Sequence, residues 1–240
     1  MLILTSMLTA SFIWVSAAKL ADYPPWFLKM PEESGVHFAV GLSRAYAKRD
    51  SSVSQAVRDA MYQLRIAAET TIKGERLFQM LPGGRTVYQG EVFLEQPGKA
   101  ATPCFLDTVE ASGMVMVLAA TRRPDHYDAE VGTIPQHAPP SWVTDIPKDS
   151  NGVYAVGMAR AYYYEENSWR EAERQARQEL AYSIAARQRR LFKGTTETSF
   201  GVTASATAVR LTGVQTMERW RSESVCFVLI RADSGATAPQ

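Results

Sequence analysis

The sequence predicts an α+β fold of two tandem β-α-β-β-β repeats, each with one helix packed on an antiparallel sheet. Three observations lead to this prediction: an ungapped internal duplication, one stretch of helical periodicity in each copy, and β-rich runs after each helix. The balance of 46% hydrophobic and 21% charged residues is typical of a folded globular protein.

The duplication aligns residues 24–64 with residues 140–180 at a constant offset of 116. The two segments share 15 identities in 41 positions, where ordinary composition gives about two or three. We therefore divide the chain into a signal peptide (1–18), a first repeat (19–121), a linker (122–138), a second repeat (139–232) and a tail (233–240).

Each copy begins with a proline-tryptophan element, at Trp26 and at Trp142. Because prolines oppose a helix, we expect these elements to be extended. Two interpretations of the tryptophans remain open. Each ring closes one end of a small core, or each is exposed and stacks on a peptide or glycan.

A strand follows the tryptophan in each copy, at residues 37–43 and 153–159. Both strands contain a glycine, Gly41 and Gly157, which predicts a bulge or a close approach of another backbone.

A helix comes next, and we expect it to begin with a capping box at Ser52 and at Ser168. Glycine predicts its end, at Gly74 and Gly194. Apolar residues at spacings of three and four give each helix one apolar stripe. The residues of the second helix expected to point away from its stripe are Arg170, Glu173, Arg174, Arg177 and Gln178.

Three strands are expected after each helix. The last strand of each copy, at 114–119 and 224–231, is apolar throughout, so it should be covered on one face by the helix and on the other by the second repeat or a partner. The remaining predicted strands are 86–94, 104–111, 199–210 and 213–221.

Residues 1–18 are apolar, uncharged and end in small residues, which indicates a secretory signal. An uncleaved membrane anchor is the alternative. Cys104 and Cys226 could pair in an exported protein, but a buried small hydrophobic residue is the favoured interpretation of Cys226, which lies in an apolar run.

Catalytic, cofactor-binding and metal-ligating residues are not predicted, since the sequence has no nucleophile elbow, phosphate loop or zinc motif. Glu165 and Glu166 are expected to be a solvated pair in a loop. The net charge of +1 is spread along the chain, so we expect no nucleic-acid partner. Because no cofactor-binding motif is found, we also expect no cofactor.

A run of three tyrosines precedes the second helix, and only Tyr162 has a counterpart in the first copy. The run is either packed at the edge of the core or exposed as a contact surface. The candidate interaction surface from the sequence consists of Trp26, Trp142, Tyr162, Tyr163 and Tyr164.

The order of these features resembles the Lpp-twenty lipoprotein family, the FlgP-like and FlgT-domain-like envelope proteins. The residues that carry the resemblance are Pro24, Trp26, Val40, Gly41, Ala56, Ala60 and Leu64 in one copy and Pro140, Trp142, Val156, Gly157, Ala172, Ala176 and Leu180 in the other. The resemblance implies an exported envelope protein without catalysis, of a kind that in some cases assembles into rings or disks. This chain departs from the family in being duplicated and in lacking the lipobox cysteine, so its membrane association stays open.

We therefore expect a non-enzymatic exported envelope protein that acts as a structural or assembly scaffold, with association with the flagellum as one form of that role. The alternative is a periplasmic peptide- or glycan-binding protein with a cleft between the two repeats. The expected location is the periplasm or the outer membrane, and the expected partners are envelope proteins or further copies of the chain.

Overall fold

Helices and antiparallel sheets make up the described part of the chain, which confirms the predicted α+β class. The computed structural model describes residues 23–81, 85–99, 102–125, 127, 138–148, 152–192 and 202–233, and within them only the backbone of 75–92, 187–192 and 202–207. The elements in chain order are α1 (Pro25–Leu28), β1 (Phe38–Arg44), α2 (Arg49–Ala68), β2 (Glu69–Leu81), β3 (Arg85–Pro97), β4 (Cys104–Ala111), β5 (Met114–Ala120), a 3-10 turn (Ser141–Val143), β6 (Gly152–Arg160), α3 (Glu165–Phe192), β7 (Val202–Thr212), β8 (Gln215–Arg221) and β9 (Val225–Asp233).

The described strands form three antiparallel sheets of three strands each, in the orders β1-β5-β4, β6-β9-β8 and β3-β2-β7. We call the described residues before the predicted linker region the first half and those from 138 onward the second half. The first sheet belongs to the first half and the second sheet to the second half. The third sheet takes β2 and β3 from the first half and β7 from the second, so backbone hydrogen bonds join the halves.

Each long helix packs closely on the sheet of its own half, at the glycine in the middle of the first strand. A Cβ atom added at Gly41 of β1 would lie 1.9 Å from the carbonyl oxygen of Ala56 in α2. One added at Gly157 of β6 would lie 2.0 Å from the carbonyl oxygen of Ala172 in α3. The close backbone approach that the sequence predicted is therefore present in both halves.

Strand β5 is buried along its whole length. Val115, Val117 and Ala119 face α2 in one apolar cluster, whereas the residues between them, such as Met116, belong to a larger core that includes Trp169 of α3. The expectation that the helix covers one face of this strand is confirmed, and the opposite face lies in a core formed by residues of both halves, Trp26 and Trp169 among them.

The first half has four strands after its helix, one more than predicted. Helix α2 ends at Ala68, and the predicted stop at Gly74 lies inside β2. Residues 69–81 form a strand because they are hydrogen-bonded on both sides, to β3 and to β7. Helical periodicity carries no information about this pairing. The predicted stop of the second helix, Gly194, lies outside the described residues.

The predicted capping boxes are wrong, because α2 begins at Arg49 and α3 at Glu165, three residues before each serine. Both serines instead accept a hydrogen bond from the loop before the helix. The Ser52 hydroxyl accepts a hydrogen bond from the backbone N–H of Tyr46 at 2.7 Å, and the Ser168 hydroxyl accepts one from the N–H of Tyr162 at 2.8 Å. Each serine therefore holds the loop that leads into its helix.

The prediction that both proline-tryptophan elements are extended is wrong: the first is the one-turn helix α1, and the second contains the 3-10 turn at Ser141–Val143. Pro25 occupies the first helical position, where its missing N–H is not needed for a helical hydrogen bond. Pro24 before it is extended, as expected.

Candidate functional site

Exposed tyrosines collect where the first strand of the first half ends and α3 begins. Tyr163 is 93% exposed, and Tyr46, Tyr162 and Tyr164 are also exposed. The rings of Tyr163 and Tyr164 lie edge to face with centroids 4.9 Å apart. We call these four residues, together with Arg44, the tyrosine surface.

Arg44 joins the two sides of the tyrosine surface. Its guanidinium carbon lies 3.8 Å from the ring centroid of Tyr164 and 5.6 Å from that of Tyr46. It also forms an ion pair with Glu166 of α3 at 3.5 Å. Because Arg44 and Tyr46 belong to the first half and Tyr164 and Glu166 to the second, the surface crosses the boundary between the halves.

An open groove of about 530 Å³ adjoins the tyrosine surface. Its lining comes from the end of β1, from α2 and from the first turns of α3. Residues that contribute to the lining include Arg44, Tyr46, Arg58, Asp59, Tyr62, Glu166 and Arg170. It contains both charges and two aromatic rings, a mixture that suits a polar ligand with a ring or a peptide backbone.

A chain of ion pairs runs under this groove. Arg170 of α3 pairs with Asp59 of α2 and with Glu173, and Glu173 pairs in turn with Arg219 of β8 at 2.6 Å. Arg219 donates a further hydrogen bond of 2.7 Å to the carbonyl oxygen of Phe27 in α1. The network therefore links elements of both halves.

The ion pair of Arg170 and Asp59 also closes the free edge of β1. Asp59 accepts a hydrogen bond from the backbone N–H of Leu42 at 2.7 Å, and Arg170 donates one to the carbonyl oxygen of Val40 at 2.7 Å. These backbone groups lie on the side of β1 that has no neighbour among the described strands. An edge that could pair with another chain is thereby occupied.

Glu173 is ionised at neutral pH. Burial alone would raise the pKa of its carboxyl, but the nearby guanidinium groups of Arg170 and Arg219 outweigh it and lower the pKa to about 2. A carboxylate with this pKa does not donate a proton near pH 7. What the arrangement supplies is therefore a fixed set of paired charges that holds α3 against β8 and β1.

The helical periodicity predicted that Glu173, Arg177 and Gln178 lie on the outer face of the helix, but all three are buried. The network was therefore not predicted from the sequence. Arg177 pairs with Glu95 of β3 at 2.6 Å. One signal could have indicated the site: Glu173 aligns with Val57 of the first copy, within the arc that packs inward.

The prediction that Glu165 and Glu166 form a solvated pair in a loop is wrong, because both form ion pairs. Glu165 is in the first turn of α3, where it pairs with Arg221 of β8 and accepts a hydrogen bond from the Tyr23 hydroxyl. Burial raises the pKa of Tyr23 to about 12, with Arg221 opposing the shift.

The five predicted interaction residues differ in their exposure to solvent. Tyr162, Tyr163 and Tyr164 are exposed, whereas Trp26 and Trp142 are buried and so offer no ring to an outside partner. The Trp26 indole N–H donates to Asp107 of β4 at 2.8 Å, and that of Trp142 donates to Glu218 of β8 at 2.6 Å. Each tryptophan closes its core, and the exposed-stacking interpretation is wrong.

The cysteines and histidines bring no further site together in the described ranges. Cys104 and Cys226 are both free, and Cys226 is fully buried, with burial raising the pKa of its thiol to about 11. Over the described residues, no group of three or more His, Cys, Asp or Glu side chains is placed to hold a metal ion. No helix in those same ranges is long and apolar enough to cross a membrane.

Protein-family models, curated proteins and solved structures were compared with this chain, and none matches it.

Proposed function

We propose that this chain is a non-enzymatic exported envelope protein that acts as a structural or assembly scaffold and docks a protein partner on the tyrosine surface. The observation that carries the proposal is a group of four exposed tyrosines, of which Tyr46 and Tyr164 lie against the guanidinium of Arg44. Tyrosine and arginine are enriched in protein interfaces. Tyrosine buries a large area with only two rotatable side-chain bonds, and arginine presents a planar guanidinium that stacks on rings and donates several hydrogen bonds.

The support beneath this surface favours docking without rearrangement. Ser168 holds the backbone at Tyr162, and the ion pair of Arg170 and Asp59 connects the two helices that flank the groove. A rigid contact surface loses less conformational entropy when a partner binds.

The exported location rests on residues 1–18, which lie outside the described residues. Association with the flagellum rests on the resemblance to the Lpp-twenty family. Both are parts of the proposal and are tested separately from the docking surface.

The proposal is tested by replacing exposed tyrosines with charged residues in the full chain. We expect Tyr163→Asp and Tyr164→Asp to reduce the native mass of the assembly recovered from the cell envelope while the circular dichroism spectrum stays unchanged. Lys99→Glu, a charge change at an exposed position just after β3, is the control and should assemble as the wild type does.

Normal assembly of both tyrosine variants would contradict the docking surface. Loss of a measurable turnover on replacing a single His or Glu would show instead that the chain is an enzyme.

A second candidate is a periplasmic peptide- or glycan-binding protein, and the groove between the halves favours it. Its test is titration calorimetry with soluble peptidoglycan fragments and with short peptides. Tyr62→Ala, which removes an exposed ring from the groove lining, should weaken binding without changing the assembly. Absence of heat with both kinds of probe would remove this candidate.

A further inference from the structure

One face of the sheet β6-β9-β8 is partly open. Tyr154, Val156 and Met158 alternate along β6 on the face away from α3, and Phe227 of β9 lies opposite Met158. Met158 is 59% exposed, and the other three are partly buried. We call these four residues the open sheet face.

The matching face of the first sheet is buried within the chain. Phe38, Val40 and Leu42 of β1 align with Tyr154, Val156 and Met158 at the offset of 116, and all three are buried. They belong to the large core that the second half completes. The same kind of surface is thus covered in one half and open in the other.

The second half packs against the first half with α3 and β8, which we call the α3–β8 flank. Trp169 of α3 and Met217 of β8 belong to the same core cluster as the three β1 residues. From this flank, Arg170 donates to the Val40 carbonyl oxygen at the free edge of β1, and Arg219 donates to the Phe27 carbonyl oxygen of α1. The Met217 carbonyl oxygen accepts from the backbone N–H of Met30 at 2.9 Å.

This contact between the halves runs in one direction only. Met30 is 2% exposed, whereas Ile146, which aligns with it in the second half, is 43% exposed. A two-fold arrangement would bury both residues equally, so the halves are joined head to tail. When two similar units join head to tail, each keeps one uncovered contact surface. Here the second half keeps the open sheet face, and the first half keeps the surface that corresponds to the α3–β8 flank.

The uncovered contact surface of the first half is the surface of α2 and β4 that corresponds to the α3–β8 flank. Met61 of α2 and Phe105 of β4 are exposed there, and Val53 and Val57 are partly buried. We call these four residues the α2–β4 flank.

The α2–β4 flank is more apolar than its counterpart. Met61 and Val57 align with Arg177 and Glu173, so two positions that carry buried charges in α3 carry apolar side chains in α2. An apolar flank matches the four residues of the open sheet face, which are apolar or aromatic. Two charged residues border them on the same face, Arg160 at the end of β6 and Arg231 opposite Tyr154.

We propose that a second copy of this chain places its α2–β4 flank on the open sheet face, so that copies join head to tail as the two halves of one chain do. Such a contact generates rings if the rotation closes and filaments if it does not. The inference goes beyond the proposed function, since it concerns a different surface and requires only the purified chain.

The test is sedimentation velocity of the purified mature chain over a range of concentrations. We expect the wild type to associate beyond the dimer, and Met158→Glu or Met61→Glu to weaken this association roughly tenfold or more, because either change places a charge in an apolar contact. Circular dichroism and urea denaturation check that both variants fold.

Mixing the two variants gives the sharpest result. Met158→Glu keeps an intact flank and Met61→Glu keeps an intact open sheet face, so the mixture should form a one-to-one dimer that grows no further. Tyr163→Asp is the control that separates this inference from the proposed function, and alone it should associate like the wild type.

Two outcomes would overturn the inference. One is a wild-type chain that stays monomeric at every soluble concentration. The other is association that neither variant weakens.

Discussion

The guanidinium of Arg219 lies 2.6 Å from a carboxylate oxygen of Glu173, at a place where 1% and 3% of the two side chains are exposed. This pair holds β8 to α3, and Arg219 also contacts α1. A buried charge that loses its partner is costly, so the pair makes the fold sensitive to changes at either residue.

Glu173→Gln is expected to destabilise the chain at neutral pH by about 3 kcal/mol, because Arg170 and Arg219 lose their shared carboxylate. Urea denaturation at pH 7 measures the change in the free energy of unfolding. Glu171→Gln is the matched control: Glu171 pairs with Arg174 on the same helix, but both are partly exposed, so the cost should stay below about 1 kcal/mol. Equal costs for the two variants would contradict the buried network.

The same pair predicts an acid dependence. The pKa of Glu173 falls from 4.5 to about 2 on folding, so its ionised form stabilises the fold fully above pH 4.5. This contribution, about 3 kcal/mol from the size of the shift, is lost as the pH falls from 4.5 toward 2. Stability measured across this range should fall less steeply in Glu173→Gln than in the wild type, and parallel curves would show that another group is responsible.

Gly41→Ala and Gly157→Ala should each destabilise the chain by about 3 kcal/mol, because a methyl group at either position meets a helix backbone that cannot move aside. Gly152→Ala, on the same strand as Gly157, is the milder control, since its nearest neighbour is the side chain of Arg231. Denaturation midpoints measure all three. A cost at Gly41 no larger than at Gly152 would mean that α2 lies farther from β1 than described.

Trp26→Phe and Trp142→Phe should each cost about 1.5–3 kcal/mol, since each leaves a carboxylate, Asp107 or Glu218, without its indole donor. A double-mutant cycle of Trp26→Phe with Asp107→Asn isolates the hydrogen bond from the change in packing. A coupling energy near zero would show that the indole contributes by packing alone.

Ser52→Ala and Ser168→Ala should each cost about 1–2 kcal/mol, because a buried hydroxyl that accepts a backbone N–H is removed. Ser51→Ala, at the exposed neighbouring position, is the control and should be close to neutral. Amide exchange at Tyr46 and Tyr162 should become faster in the corresponding variant. Unchanged exchange would contradict the role assigned to the serines.

The pattern of apolar and polar residues was sufficient to predict an element where the burial of one face determines that element's structure. The boundaries of β4 agree with the prediction and those of β5 differ by one residue, because alternation and apolar runs report which side chains are buried. Gly41 was predictable for a similar reason, since a glycine inside a strand indicates a close neighbour.

Contacts between distant segments explain what local pattern did not predict. The end of α2 depends on β7, which pairs with β2 from the other half of the chain. The burial of Glu173 depends on Arg219. The tyrosine run was recognised, but its stacking on Arg44 requires the relative position of two segments that the sequence alone does not give.

The pairing of β2 with β7 has a consequence for a chain that emerges N-terminus first, whether from the ribosome or from an export channel. Strand β2 emerges long before β7, so until then one of its edges has no native partner among the described strands. Pulsed hydrogen exchange during refolding should show the amides of β2 that point toward β7 protected only when β7 itself is protected, and earlier protection would contradict this order. The first half therefore completes its structure late. During that interval the exposed edge of β2 could pair with the same edge of another chain, so the incomplete chain is at its most prone to aggregation.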